Sequence, residues 1–139
     1  MSRIEPGDPA FDPAEWDADS LQEELSKGIE LFDAGEYEEA HERFERLWLS
    51  TQGSDSDFYK GLVQAAIALH HFRRGNLEGA AKLHAGHRAL LAAYSPRHLG
   101  IDVADFLRQM HAALGPVVRR GPGPGPRFDP ERRPRIRGT

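Results

Sequence analysis

The chain has 139 residues, 39% of them apolar and 29% charged, with no cysteine and a net charge of −4. That length supports one domain able to bury a core without covalent staples. The lack of Cys excludes disulfides, thiolate metal ligands and a thiol nucleophile, so any chemistry falls to His, carboxylate or hydroxyl groups.

Met1 to Trp16 is acidic and carries three prolines, where a secretory signal would need a basic start and an apolar run. Residues 1–18 therefore read as an arm, with Trp16 and Phe11-Asp12-Pro13 as candidates to cover the core. The first helix starts at the capping box Ser20-x-x-Glu23, carries Leu21, Leu25, Ile29 and Phe32 at helical spacing, and ends at Gly35. A second helix, Glu36 to Leu49, puts Tyr37, Ala40, Phe44, Leu47 and Trp48 on one arc and closes at the polar stretch Thr51 to Ser56. The third, Asp57 to Arg74, is apolar almost all round its middle, Leu62 to Leu69, and is expected to be the central helix. That stretch is too short to span a bilayer, and the reading is a cytoplasmic protein without a membrane partner.

Gly75-Asn76 breaks the third helix, and a fourth runs from Leu77 to Tyr94. Pro96 and Gly100 mark a loop, and Asp102 caps a fifth helix stopped by Gly115-Pro116. The expected fold is all-α, a compact bundle of about five helices over residues 19–115. Gly35-Glu36-Tyr37…Ala40 recurs 40 residues later as Gly75-Asn76-Leu77…Ala80. This resembles the helical hairpin of tetratricopeptide repeats, so two such hairpins plus a C-terminal helix are expected. From Pro116 to Thr139 the Gly-Pro repeats and seven arginines read as a flexible tail, or as a tether lying back on the acidic first half. Residues 1–60 hold 17 acids against 5 bases, which repels a phosphate backbone and argues against nucleic-acid binding.

On a wheel of about 100° per residue, with Tyr37 at zero, His41 falls near 40° inside the aromatic arc and Glu45 near 80° at its edge. Their i,i+4 spacing lets them touch, and Glu38 lines the same edge. Arg43, Arg46, Glu39 and Glu42 fall on the far side. On the third helix, Gln64 and His71 share one side and His70 points about a quarter turn away. If the two helices pack, His41, Glu45, Gln64 and one of His70 or His71 converge.

That cluster has three readings: a buried polar network fixing helix register; a divalent-metal site for Zn, Mn or Fe held by His41, Glu45, Gln64, His70 or His71; or a metal-free acid–base pair with His41 tuned by Glu45. In the last two, Glu45 and His41 are the candidate catalytic residues. The zincin motif fails, because His41-Glu42 is followed by Arg43, Phe44 and Glu45 with no second histidine. His84 and His87 read as an exposed or structural pair, and His98 and His111 receive no role. The rival class is a non-catalytic interaction module whose helix faces bind a protein partner or a second copy of the chain.

The run Gly28 to Glu42, followed by Glu45 and Trp48, then Gly61-Leu62-Val63-Gln64, His70-His71, Gly75-Asn76 and Gly100-Ile101-Asp102-Val103, resembles the family catalogued as domain of unknown function 309. The resemblance covers residues 20–115. It implies a small helical bundle of a prokaryotic cytoplasmic protein, some members being labelled predicted metal-dependent hydrolases. It points to Glu39, His41, Glu42, Glu45 and Trp48 on the second helix, and to either His70 or His71 on the third.

Overall fold

The computed structural model describes residues 16–138, so the Phe11-Asp12-Pro13 part of the expected arm lies outside the described residues. Five helices follow in order: α1 (Ala18–Asp33), α2 (Tyr37–Ser50), α3 (Ser56–Arg73), α4 (Leu77–Leu91) and α5 (Val103–Val118). The all-α expectation holds. Single 3₁₀ turns at Ala92–Tyr94 and Pro130–Arg132 and a minute hairpin, β1 (Arg97–His98) with β2 (Ile101–Asp102), complete the described elements.

Local chemistry sets the helix ends. Asp17, in extended backbone, caps α1 by accepting the Ser20 N–H at 2.8 Å. The cap thus sits three residues before the expected Ser20. At the other end Gly35 adopts φ +83°, its N–H bonds to the Phe32 carbonyl, and the Glu36 N–H reaches the Leu31 carbonyl. Gly75 does the same with φ +81°, bonding to Phe72 while Asn76 bonds to His71. Both are Schellman turns, which need a residue free to enter the left-handed region and return two orphan carbonyls to hydrogen bonding. The 40-residue echo in the sequence is this turn made twice.

Helices adjacent in sequence pack side by side, α1 on α2, α2 on α3, α3 on α4 and α4 on α5. The apolar α3 lies between α2 and α4, burying Phe58, Leu62, Ala65, Ala66, Ala68 and Leu69. Phe32, Tyr37, Phe44, Phe106, Met110 and Leu114 fill the rest of the core. Two glycines let helices approach. A Cβ on Gly28 would stand 2.5 Å from the buried Phe44 ring, and one on Gly61 would stand 2.7 Å from Leu91.

Three expectations change beyond α4. The hairpin at 97–102 was expected as loop; its two turn residues, Leu99 and Gly100, both have positive φ, +49° and +75°. Helix α5 begins as expected, with Asp102 accepting the Asp105 N–H at 2.9 Å, but it passes through Gly115-Pro116 to Val118. Proline costs one helical bond, and burial of Leu114 and Val117 on the core side favours continuing the last turn.

The segment after Val118 is not a free tail in the structure. Phe128 packs edge-on to Tyr37 and Phe72, with centroids 6.0 and 5.7 Å apart. Arg133 Nε donates to the Asp33 carbonyl at 2.9 Å, and the Ile136 N–H donates to Asp33 Oδ1 at 2.8 Å. Gln109 holds Arg135 by both its main-chain groups at 2.9 Å, and the Asp102 N–H donates to the Arg137 carbonyl at 2.9 Å. A composition dominated by Gly, Pro and Arg hides the two side chains that anchor this strap, Phe128 and Ile136. Apart from the single 3₁₀ turn at Pro130–Arg132, its backbone gains partners without a helix or a strand pair of its own.

Candidate functional site

His41 and Glu45 meet as their spacing requires, with Nε2 and Oε2 3.1 Å apart. They stand at the rim of the bundle, because their side chains are 31% and 34% exposed while the neighbouring Tyr37 and Phe44 are fully buried. The expected inward cluster is therefore a solvent-facing ridge. One turn earlier on the same stripe, Glu38 reaches across to α3 and lies 3.3 Å from His70 Nε2. Burial, only partly offset by Glu38, pushes the His70 imidazole below its ordinary pKa. Trp48 extends the seam, with the Lys60 ammonium 5.6 Å from its ring centroid.

The remaining predicted residues go elsewhere. His71 Nδ1 lies 3.3 Å from Asn76 Nδ2 and serves the α3–α4 turn. Gln64 turns to α4, where its Oε1 is buried against Gly86 with no hydrogen-bond partner among the described residues. His41 and Glu45 thus do not converge with Gln64 or His71. Catalytic zinc centres take three protein ligands, whereas no group of three or more His, Asp or Glu among the described residues is arranged to hold a metal ion. As placed, these residues do not supply the three protein ligands of a catalytic zinc centre. Glu39 and Glu42 are exposed, as the wheel has them.

The wheel misplaced two residues. Arg43 and Arg46 are buried against α1, where Glu24 accepts from Arg43 Nη1 at 2.8 Å and from Arg46 Nη1 at 3.1 Å. Helix α2 has neighbours on two sides, α1 and α3. The arginine part of its far side therefore faces α1, where both guanidiniums meet Glu24.

Two further histidine features lie outside the ridge: the His84–His87 pair, read as exposed or structural, and His98, which received no role. His84 and His87 are buried, not exposed, and Nδ1 of one lies 3.1 Å from Nε2 of the other. Their outer nitrogens, His84 Nε2 and His87 Nδ1, have no hydrogen-bond partner among the described residues. Burial first, then nearby Arg88 and the other imidazoles, pulls His84 down to about 4 and His87 down to about 3. The i,i+3 spacing was a visible signal for the contact, and the small residues around it, Ala80, Ala81, Ala85 and Gly86, were the signal for close packing. His98 hydrogen-bonds Asp55 Oδ1 at 2.7 Å, and its ring lies 4.7 Å from Phe58 and 4.6 Å from Tyr94. This pair clasps the start of α3 to β1. No local spacing announces it, since the partners are 43 residues apart.

Among the described residues no helix is long and apolar enough to cross a membrane. The chain is 30% identical over 98 residues to an uncharacterized protein of Aquifex aeolicus (strain VF5), covering 69% of this chain and 29% of that protein. It spans less than a third of that relative's length. The family model described as Domain of unknown function (DUF309) matches residues 25–83, from mid-α1 into α4, which include both members of the His41–Glu45 and Glu38–His70 pairs. Over residues 25–83, somewhat less than half of its length, the chain is thus similar to the DUF309 family.

Proposed function

We propose that the α2–α3 ridge is a metal-free acid–base site, with His41 as the proton-transferring group and Glu45 as its positioning partner. The observation that carries this reading is the 3.1 Å contact between His41 Nε2 and Glu45 Oε2 at one-third exposure, which orients the imidazole and leaves it reachable. A carboxylate only accepts, so it favours the proton on Nε2 and leaves Nδ1 to take a proton from water or substrate. The reaction class this suits is hydrolysis by activated water, because the chain offers no thiol nucleophile and the imidazole–carboxylate pair is the group placed to take a proton from water.

The test uses the full chain purified without a His-tag and an activated ester such as 4-nitrophenyl acetate. Turnover is expected to survive a chelator and to fall about a hundredfold in His41→Ala. Turnover that disappears with chelator, or that His41→Ala leaves unchanged, contradicts the reading.

A further inference from the structure

We propose that the open groove between α4 and α5 binds a small organic anion, a carboxylate carried on an apolar body. This site is separate from the α2–α3 ridge and does not depend on it. The groove has a volume of about 630 Å³, within the range of small-molecule pockets. Its floor is apolar, formed by Ala85, Ala89 and Leu107, and its polar side chains are Arg88, Arg108 and His111. No carboxylate lines it.

The positive charge there is poorly compensated. The Arg88 side chain makes no hydrogen bond or ion pair among the described residues, and Arg108 pairs with Asp105 at 3.8 Å while its side chain is 71% exposed. The buried His84 borders the groove through the His111 ring, centroids 6.4 Å apart and nearly parallel at 28°, and its Nε2 is unpartnered among the described residues. Burial first, then Arg88 and His111, disfavours a charge on His84 beside the groove. A guanidinium pairs with a carboxylate through two parallel N–H donors, while the alanine and leucine floor rewards an apolar body and offers nothing to a hydrated inorganic ion.

Titration of the full chain with hexanoate, hexanamide and inorganic phosphate, followed by amide NMR shifts, tests this. Hexanoate is expected to move the Ala85, Ala89, Leu107 and His111 resonances, with hexanamide and phosphate each at least about tenfold weaker. The double variant Arg88→Gln/Arg108→Gln, at two exposed positions, is expected to weaken hexanoate by about tenfold or more while keeping the native spectrum. The proposal is overturned if millimolar hexanoate moves none of these resonances, if hexanamide or phosphate binds as tightly, or if the double variant binds hexanoate undiminished.

Discussion

Arg43 and Arg46 lie against one carboxylate, Glu24, inside the α1–α2 interface, while His41, on the arc that carries the aromatic side chains, ends at the rim. A wheel ranks residues by angle within one helix. It carries no information on how many neighbours that helix has, so it read two buried charges as solvated and one rim residue as buried. The same gap hid His84 and His87, whose burial depends on α5 covering α4. Their consequence is a defined acid sensitivity. The unfolded chain takes up protons on these imidazoles near their ordinary value of 6.5, whereas the folded chain keeps them neutral down to about 4 and about 3. Between those limits the unfolded state binds more protons, so stability is full above about pH 6.5 and declines as the pH falls. Denaturant unfolding at a series of pH values should show this decline, and a flatter profile in the His84→Leu/His87→Leu variant. An equally steep profile in that variant would assign the acid sensitivity to other groups.

At the scale of elements, the helices were legible because their apolar spacing and punctuation agree. Gly35 and Gly75 end α1 and α3 through the same pair of hydrogen bonds, and Asp102 caps α5 as its position suggests. Helix ends set by tertiary burial were not legible, as Val117 beyond Pro116 shows. Neither was the two-residue hairpin at Leu99-Gly100, which is too short to leave a period in the sequence. Helix approach rests on glycine at defined points. The Phe44 ring occupies the space a Cβ on Gly28 would need and is itself fully buried, so it has no room to yield. Gly28→Ala is therefore expected to cost about 1–3 kcal/mol despite its better helix propensity. Equilibrium denaturation that finds Gly28→Ala as stable as the native chain would show that α1 and α2 can separate freely.

At the scale of the molecule, the C-terminal strap closes the fold from the far end of the sequence. Ile136 donates to Asp33 across 103 residues and is almost fully buried. Ile136→Ala is expected to destabilise the chain by about 2–5 kcal/mol, read by chemical denaturation. A change within experimental error would mean the strap contributes no core. The strap's anchors were illegible because two apolar residues in a run of Gly, Pro and Arg carry no periodic signal. The site was legible only as far as its local pairs extend. His41 and Glu45 were found by spacing, whereas the partition of Gln64 to α4 and His70 to Glu38 depends on how three helices rotate about one another. The functional account therefore stands on His41, held at Nε2 by Glu45 and with a third of its side chain exposed. The most direct measurement is the tautomer of neutral His41, read from its ring ¹⁵N shifts in the native chain and in Glu45→Ala. The account predicts the Nε2–H form in the native chain and a mixture of both forms in the variant. An Nδ1–H form in the native chain, or the same tautomer population in both proteins, would contradict it.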